Sequence, residues 1–434
     1  MVAEHRGVPI MRPSMHPAPL LELVCTLLRS VLRFGQPADR LLSAFFRTHR
    51  ALGARERHAV AETVYEILRR RLLLQHRAQG GRGPLERRLA LLGWQGEPAQ
   101  LARALTPEES AWLGQMRAVD LEAVPARLRH NLPEWVAQPL QAALGEDEFD
   151  ALAGKLLESA PLDLRVNTLR GDREAARAAL AAEGVAAQPT RWSPWGLRVE
   201  GKPALTRLQA FAGGAVEVQD EGSQLLALLT GAGRGEMVVD FCAGAGGKTL
   251  ALGAMMRNTG RLYAFDTSAR RLAELQPRLA RSGLSNVHPA ALSHERDDRV
   301  RRLAGKIDRV LVDAPCSGLG TLRRNPDLKW RQSPEAVAEL AQRQRAILDS
   351  AARLLRPGGR LVYATCSLLR AENEDVAEAF TQAQRGSFEP LPAAAALAEA
   401  RIDGAGELSE DGCLRLWPHR HGTDGFFAAV WLRR

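Results

Sequence analysis

The sequence predicts an α/β protein: a doubly wound, mostly parallel sheet, preceded by an all-α region and a small α+β module. Three patterns indicate this fold class. Apolar residues fall at helical spacing over the first ~140 residues, strand-like alternation follows, and apolar runs then alternate with helices. We therefore expect three domains, at residues 1–145, 146–222 and 223–434.

The first domain carries helix signals only. A stripe of leucine and valine from Leu20 to Leu32 predicts a helix that ends at Gly35 and Pro37. A second stripe runs from Val60 to Leu72. Thr106-Pro107-Glu108-Glu109 has the form of a capping box with proline at the first helical position. No strand pattern interrupts this region, so we expect an all-α domain.

The second domain mixes the two periodicities. Residues 162–167, 197–200 and 215–218 alternate as strands do, and the alanine-rich segment 172–184 predicts a helix. The third domain alternates short apolar strands with helices, which is typical of a parallel sheet whose ligands bind at the carboxyl ends of its strands. Its predicted strands are 237–239, 262–265, 310–312, 361–364 and, last, 426–432. A long helix beginning at Ser333-Pro334 is expected to end at Pro357-Gly358-Gly359.

The charge of the chain favours a polyanionic partner. Its 434 residues include 59 Lys+Arg and 50 Asp+Glu, a net charge of +9, and nearly all the basic residues are arginine. Arginine binds phosphate through two parallel hydrogen bonds. A genome that favours arginine codons would give the same composition, so charge alone leaves both explanations open.

The five cysteines make no CxxC pair, so we expect neither a disulfide framework nor a metal site. No apolar run approaches the ~18 residues of a membrane span, and residues 1–19 contain no apolar leader. We expect a reduced, cytoplasmic monomer that does not bind a membrane.

A glycine-rich turn follows the first strand of the third domain. It reads Cys242-Ala243-Gly244-Ala245-Gly246-Gly247-Lys248-Thr249. A phosphate-binding P-loop would need glycine at Cys242, and a dinucleotide fingerprint would need it at Thr249. Asp266 ends the next strand, where a carboxylate can bind ribose hydroxyls. A turn with this acid and without a pyrophosphate cradle favours S-adenosylmethionine; the alternative is a tight turn without a ligand.

Two cysteines follow neighbouring strands of the same predicted sheet. Asp313-Ala314-Pro315-Cys316 comes after residues 310–312, and Thr365-Cys366-Ser367 comes after residues 361–364. A single cysteine is more often a small buried apolar residue. Two of them at strand ends beside a cofactor turn favour thiolate chemistry.

A thiolate and S-adenosylmethionine together suggest methylation of cytosine at C5. C5 is too electron-poor to attack a methyl group unaided, but addition of a thiolate at C6 makes it nucleophilic. A carboxyl group at cytosine N3 would stabilise the adduct, and Asp313 lies where such a group is needed.

Several segments carry a family resemblance. They are Asn131 to Trp135, Arg165 to Thr168, Cys242 to Thr249, Asp313 to Lys329 (DAPCSGLGTLRRNPDLK), Tyr363 to Asn373 (YATCSLLRAEN) and Asp424 to Phe427. On these motifs the chain resembles the Sun/Fmu-type (NOL/NOP family) RNA cytosine-C5 methyltransferases, in particular the bacterial members that act on small-subunit ribosomal RNA. The resemblance covers about residues 130–434. The N-terminal helices look like a NusB-type RNA-binding domain.

The resemblance implies a class I Rossmann-like methyltransferase domain and a role for each motif residue. Cys366 would be the nucleophile, and Cys316 would assist product release. Asp313 would bind the cytosine edge, and Lys248 would orient the site. The implied cofactor residues are Cys242, Ala243, Gly244, Ala245, Gly246, Gly247, Lys248, Asp266 and Asp313.

One departure from the family concerns the cofactor. The third strand of such enzymes usually ends in an aspartate near the adenine ring, whereas this chain has Ala291 near that place. Loss of that hydrogen bond would weaken cofactor binding by about 1 kcal/mol. Ser293 and Asp297 are the candidates to replace it.

The basic segment from Arg323 to Trp330 is a candidate RNA contact. Arg323, Arg324 and Lys329 could bind phosphates beside the active site, and the alternative is a solvated loop whose tryptophan packs on the core. The expected function is 5-methylcytidine formation in 16S-type ribosomal RNA. A transfer RNA substrate and a non-catalytic ribosome-assembly factor with a degenerate cofactor site are the alternatives.

Overall fold

A computed structural model describes residues 17–434 of the chain. Residues 1–16, which include most of the segment expected to lack a leader and the start of the first predicted domain, lie outside the described residues. The chain divides into two compact units. One consists of the described part of residues 1–134 together with residues 325–331, and the other of residues 135–324 and 332–434.

The helices of residues 17–434 are α1 (Pro17–Val31), α2 (Ala38–Thr48), α3 (Ala54–Arg69), α4 (Arg71–Arg77), α5 (Leu85–Leu92), α6 (Pro98–Ala102), α7 (Pro107–Arg117), α8 (Ala126–His130), α9 (Glu134–Leu144), α10 (Glu146–Leu156), α11 (Arg173–Ala182), α12 (Gln209–Ala212), α13 (Glu221–Leu228), α14 (Gly247–Met255), α15 (Ala269–Ser282), α16 (Asp298–Arg302), α17 (Leu328–Arg331), α18 (Pro334–Ala352), α19 (Glu374–Ala383), α20 (Ala393–Glu399) and α21 (Pro418–His421). Short 3-10 turns lie at Leu205–Arg207, Leu319–Thr321, Arg370–Glu372 and Ala405–Leu408.

The strands are β1 (Leu162–Val166), β2 (Ala187–Pro189), β3 (Gly196–Val199), β4 (Val216–Val218), β5 (Met237–Asp240), β6 (Arg261–Asp266), β7 (Val287–Ala291), β8 (Ile307–Asp313), β9 (Leu355–Thr365), β10 (Phe388–Pro390), β11 (Ser409–Glu410), β12 (Cys413–Leu416) and β13 (Phe426–Arg433). Every strand predicted from the sequence is present, with bounds that differ by a few residues. The short strands β2, β10, β11 and β12 were not predicted.

The first unit is helical throughout its described residues, as predicted. The apolar stripes of α1, α3 and α5 form its core, in which Leu21, Leu28 and Ile67 are fully buried. The predicted capping box is confirmed: Thr106 Oγ1 accepts from the Glu109 amide, and the Glu109 carboxylate accepts from the Thr106 amide. The second predicted stripe is divided between α3 and α4. The NusB-type likeness stays a prediction.

The second unit contains two sheets. A small antiparallel sheet has the order β2-β3-β1-β4. The large sheet has the order β11-β12-β13-β9-β8-β5-β6-β7, with β10 also paired to β13. Strands β5 to β9 are mutually parallel along this order, whereas β13 runs antiparallel to β9. The predicted doubly wound α/β fold is therefore confirmed.

One predicted boundary in this sheet is wrong. Helix α18 ends at Ala352, and Pro357-Gly358-Gly359 lies inside β9 instead of ending the helix. The pairing of β8 with β9 begins at Ile307 and Leu355, shifts register, and resumes at Arg309 and Arg360. The proline and glycines therefore occupy an irregularity within the strand, which tolerates residues that a regular ladder does not.

The order of the sheet fixes where a ligand can bind. From β5 the chain passes to β6 on one side, whereas β8 lies on the other, so a crevice opens at the carboxyl ends of these strands. Apolar residues cover both faces of the sheet, which leaves this edge for polar chemistry. In residues 17–434, no helix has the length and apolar character needed to cross a membrane.

The capping box yields a prediction for the helical unit. Replacing Thr106 with alanine removes the oxygen that accepts from the Glu109 amide, and we expect a loss of about 0.5–2 kcal/mol in the free energy of unfolding of this unit. Thr106→Ser keeps the oxygen and serves as the control. Urea unfolding followed by circular dichroism checks this, and equal stability of the two variants would contradict it.

Candidate active site

The glycine-rich turn is shaped by close packing. Gly246, the residue just before α14, has a φ of 84°, and a Cβ added there would lie 2.1 Å from Leu275 Cδ1. Only glycine combines this backbone conformation with so close a neighbour. Asp266, at the end of β6, holds the other side of the turn, because its carboxylate accepts from the Gly244 amide at 2.8 Å and from the Ser268 amide at 2.7 Å.

A cleft of ≈ 530 Å³ opens at this edge of the sheet. It brings together five of the residues predicted from the sequence: Cys242, Asp266, Asp313, Cys316 and Cys366. The remaining residues of the turn, 243 to 248, do not line it, although Lys248 reaches Asp313.

Sequence analysis missed the other side chains of the cleft. They are Phe241, Thr267, Ser268, Arg271, Leu292, Ser293 (named only as a possible replacement), His294, Glu295, Ala314, Pro315, Arg343 and Ile347. Ser268 could have been found, since a serine two residues after Asp266 is a helix cap signal for α15, which it does cap. Arg343 and Ile347 lie on α18, whose sequence gives no sign of which face meets the cleft.

Lys248 and Asp313 form an ion pair inside the site. Lys248 Nζ lies 2.7 Å from Asp313 Oδ2. Burial alone would lower the pKa of Lys248, but the charge and the hydrogen bond of Asp313 outweigh it and raise that pKa above its ordinary value. Lys248 is therefore a firmly charged group that fixes one oxygen of Asp313.

The two strand-end cysteines are adjacent. Cys316 Sγ lies 3.4 Å from Cys366 Sγ, and the Cys366 amide donates to Cys316 Sγ at 3.3 Å. Two causes raise the pKa of the Cys316 thiol well above its ordinary value. The larger is the hydrogen bond with Cys366, and the smaller is burial. Cys316 is therefore a neutral thiol at pH 7, and its sulfur is close enough to Cys366 Sγ to exchange a proton with it.

Two glycines hold the backbone of Cys366. The Gly320 amide donates to the Cys366 carbonyl at 2.8 Å, and the Gly425 amide donates to the Gly320 carbonyl at 2.8 Å. A Cβ at Gly320 would lie 2.1 Å from the Gly425 oxygen and 2.8 Å from the Cys366 oxygen. The three chain segments can approach this closely only because no side chain separates them.

Ser293, a candidate to replace the missing third-strand aspartate, lines the cleft and contacts an aspartate. Strand β7 ends at Ala291, and Ser293 lines the cleft two residues later. The amide and the hydroxyl of Ser293 both donate to Asp297 Oδ2 at 3.0 Å. The amides of Ser293 and Arg299 lower the pKa of Asp297 to about 2, so this carboxylate is charged at neutral pH.

Comparison with known proteins agrees with this site. The sequence model of the family "16S rRNA methyltransferase RsmB/F" matches residues 227–432, and that of the ferredoxin-like domain of RsmF/B-like methyltransferases matches residues 132–206. The chain is 35% identical over 315 residues to a probable ribosomal RNA small subunit methyltransferase B from Synechocystis sp., covering 72% of this chain and 69% of that protein. The chain belongs to the RsmB/F family.

Two further similarities support the assignment. A probable ribosomal RNA small subunit methyltransferase B from Bacillus subtilis is 32% identical over 331 residues, covering 72% of this chain and 71% of that protein. The crystal structure of PH0851 matches with a TM-score of 0.78 at 26% identity, covering 97% of this chain and all of that chain. As an RsmB/F family member, the chain is an RNA methyltransferase with S-adenosylmethionine as its methyl donor.

The cleft fits this cofactor. Its volume lies within the range of about 300–1,000 Å³ that small-molecule sites occupy. Each oxygen of Asp266 accepts one backbone amide, which leaves lone pairs for the two hydroxyls of a ribose. In the described residues, no group of three or more His, Cys, Asp or Glu side chains could hold a metal ion.

The predicted RNA contacts of the basic segment are not supported by its geometry. Arg323 is 3% exposed and donates to the carbonyls of Gly422 and Thr423. Lys329 is 2% exposed and donates to the Arg69 carbonyl at 2.8 Å. Both side chains are buried in their own unit, so neither can reach a phosphate in this structure.

Arg324 is also committed to the protein. Its guanidinium lies 2.6 Å from Asp424 Oδ2 and 2.9 Å from Asp220 Oδ2, and it donates to the Pro161 carbonyl. It therefore joins three segments of the second unit, each of them 100 residues or more away in sequence. A run of basic residues in the sequence indicates positive charge, but it does not show which acidic residues form ion pairs with it in the folded protein.

Removal of Arg324 tests this structural role. Burial and then Asp220 raise the pKa of Asp424 to about 7, even with Arg324 present. A carboxyl whose folded pKa exceeds its unfolded value contributes stability at low pH that is lost as pH rises through the folded pKa. Arg324→Met leaves two facing carboxylates, and we expect a loss of about 3–5 kcal/mol at pH 8 that shrinks toward pH 4.

The free energy of unfolding of Arg324→Met, measured from pH 4 to pH 8, checks this expectation. Arg296→Met, which removes an exposed arginine, is the control and should change stability little. A stable Arg324→Met protein that had lost only RNA affinity would restore the RNA-contact interpretation.

Proposed function

We propose that this enzyme forms 5-methylcytidine in small-subunit ribosomal RNA through a covalent Cys366–cytosine adduct. The observation that carries the proposal is the pair of cysteine sulfurs 3.4 Å apart in the cleft that Asp266 and Asp313 also line. A methyltransferase that acts on an already nucleophilic atom needs no thiol. Methylation at C5 needs one thiol to add at C6, and a second thiol beside it can assist release.

The first step is addition of the Cys366 thiolate to C6 of the cytosine. Negative charge then develops on the ring toward N3. The Lys248–Asp313 ion pair holds one transferable proton, on Lys248 Nζ in the resting pair, and its passage through the Asp313 carboxylate to N3 would neutralise that charge. Lys248 holds Asp313 Oδ2, so Asp313 Oδ1 is the oxygen free to face the base. S-Adenosylmethionine, when bound, supplies an electrophilic methyl group to the activated C5.

Release needs a base and a leaving group. After methyl transfer the proton on C5 must be removed, and the electron pair then expels Cys366 from C6 as the thiolate. Cys316 can relay the proton: its thiol proton passes to the departing Cys366 sulfur, which it contacts, and the Cys316 sulfur accepts the proton from C5. The cytosine reaches these groups only if it leaves its stack.

The substrate follows from the relatives. The proteins from Synechocystis sp. and Bacillus subtilis are named small-subunit ribosomal RNA methyltransferases. We extend that substrate to this chain, and we place the enzyme in the cytoplasm as a monomer. The excess of arginine in the composition agrees with a polyanionic partner.

Methyl transfer to RNA from cells that lack the enzyme tests the function. We expect purified enzyme to add labelled methyl groups to small-subunit ribosomal RNA, with 5-methylcytidine as the product in mass spectrometry. Naked RNA and isolated subunits are both offered, and transfer RNA is the competing substrate. A methylated base other than cytosine, or label in transfer RNA alone, would overturn the proposal.

The two cysteines should give opposite phenotypes. Cys366→Ala lacks the nucleophile, and we expect neither product nor adduct. Cys316→Ser keeps the nucleophile but impairs release, and we expect protein bound to RNA in a complex that survives denaturing electrophoresis. Cys413→Ala, at a cysteine outside the cleft, is the control. An adduct with Cys366→Ala and none with Cys316→Ser would reverse the assigned roles.

We also propose that Ser293 binds the adenine amino group of the cofactor. Asp266 would hold the ribose, and Leu292 and Ser293, which line the same cleft, would hold the adenine. The Ser293 hydroxyl gives its proton to Asp297, so its lone pairs are left to accept from an amino group.

Replacement of Ser293 with alanine should weaken binding of S-adenosylhomocysteine by about 1 kcal/mol, or about fivefold in Kd. Wild type should bind the inosine analogue, which lacks the amino group, less tightly, whereas Ser293→Ala should bind both nucleosides equally. Isothermal calorimetry measures these affinities, and Ser285→Ala, an exposed serine outside the cleft, is the control. Unchanged discrimination in Ser293→Ala would exclude this contact.

A further inference from the structure

A buried carboxylate lies behind the two cysteines. Glu372 ends the 3-10 turn Arg370–Glu372 and is 0% exposed. Its hydrogen-bond donors in the described residues are neutral: Ser317 N and Oγ, Ser367 Oγ and Gln344 Nε2. Burying a carboxylate against neutral donors costs free energy that an apolar residue would not. The position of those donors indicates what the carboxylate does.

The two serines are the residues that directly follow the two cysteines. The Ser317 amide donates to Glu372 Oε1 at 2.8 Å, and the Ser317 hydroxyl donates to Oε2 at 2.5 Å. The Ser367 hydroxyl donates to the same Oε2 at 2.5 Å. One carboxylate therefore holds the loop of Cys316 and the loop of Cys366 together.

Two further residues, Gln344 and Tyr363, hold Glu372 itself in place. Gln344 of α18 donates to Glu372 Oε1 at 3.0 Å and to the Pro315 carbonyl at 2.9 Å. The Tyr363 hydroxyl of β9 donates to the Glu372 carbonyl at 2.5 Å. Neither Gln344 nor Tyr363 lines the cleft. This network therefore supports the reacting groups without contacting the substrate.

We propose that Glu372 is a positioning residue that sets the distance between Cys316 and Cys366, so that both sulfurs can act on one cytosine. The inference rests on the proposed chemistry of the two cysteines. A carboxylate suits this task because its two oxygens accept several hydrogen bonds at once and donate none. A glutamine of the same shape keeps one accepting oxygen. Its amide nitrogen would face either the two serine hydroxyls at the Oε2 position or the Ser317 amide and Gln344 Nε2 at the Oε1 position.

Glu372→Gln is the test, with Glu221→Gln as the matched control. Glu221 is also a buried carboxylate held by neutral donors, the amides of Trp192 and Ser193, and it lies outside the cleft. A general loss of packing should affect both variants alike. Loss of cysteine positioning should affect Glu372→Gln alone.

The first measurement needs neither RNA nor cofactor. Dibromobimane becomes fluorescent when both of its arms alkylate thiols, so it reports how often the two sulfurs face each other. We expect cross-linking of Cys316 to Cys366 to be about tenfold slower in Glu372→Gln and unchanged in Glu221→Gln. Peptide mass spectrometry identifies the linked pair. An unchanged rate in Glu372→Gln overturns the proposal.

The second measurement is turnover on RNA. We expect kcat of Glu372→Gln to fall about 100-fold, the loss that a displacement of about 1 Å brings, with KM for RNA nearly unchanged. A fall no larger than in Glu221→Gln, or a rise in KM alone, overturns the proposal. If wild type itself fails to methylate cytosine, the proposed function fails, while the cross-linking rate still decides the role of Glu372.

Ser367→Ala covers the case in which Glu372→Gln does not fold. It removes one hydroxyl from the network and leaves the carboxylate in place, so it is the milder change. Its cross-linking rate must then fall several-fold below that of Glu221→Gln, and an unchanged rate contradicts the proposal.

Discussion

The parallel pairing of β8 with β9 is the constraint on which the active site depends. Asp313 pairs with Ala364, so the two strands end side by side and their following loops leave the sheet at the same edge. Cys316 and Cys366 meet because of this register. A slip by one residue would turn every side chain of one strand to the other face. The apolar residues on both faces of these strands therefore secure the chemistry as well as the fold.

Strand pairing brings the loops together but does not orient them. Apolar contacts have no direction, whereas hydrogen bonds do. The Cys366 loop is accordingly held through its backbone by Gly320 and through Ser367 by Glu372. Gly320 shows why side chains are absent where the segments cross, since any Cβ there would overlap the Cys366 carbonyl. Orientation in this site therefore comes from polar groups in the interior.

Features with a local signal could be predicted from the sequence. The strands carry alternation or apolar runs, the capping box at Thr106 is complete within four residues, and Cys316 and Cys366 each follow such a strand. Asp266 was predictable for the same reason, as the last residue of an apolar strand. Features that depend on distant partners could not be predicted. The role proposed for Ser293 depends on its hydrogen bond to Asp297. No local pattern indicates that Glu372 lies behind the two cysteines.

The basic segment illustrates the same limit in the opposite direction. Arg324 and Lys329 give a strong local signal of exposed charge, yet the structure pairs Arg324 with Asp220 and Asp424 and buries Lys329. The acids that neutralise Arg324 are about 100 residues away on either side. Charge pattern describes a segment, whereas exposure is a property of the whole fold.

Lys248 and Lys329 show that two residues of the same type can differ because of their surroundings in the fold. Both are buried, and burial lowers the pKa of a lysine. Beside Lys248 the charge of Asp313 reverses that effect and keeps the ammonium group charged. In the described surroundings of Lys329, no acidic residue counteracts the effect of burial. The charges of Arg69 and Arg70 add to that effect, and the pKa of Lys329 falls to about 7. One lysine is therefore an electrostatic element of the active site and the other a hydrogen-bond donor to a backbone carbonyl, and the neighbouring charge decides between them.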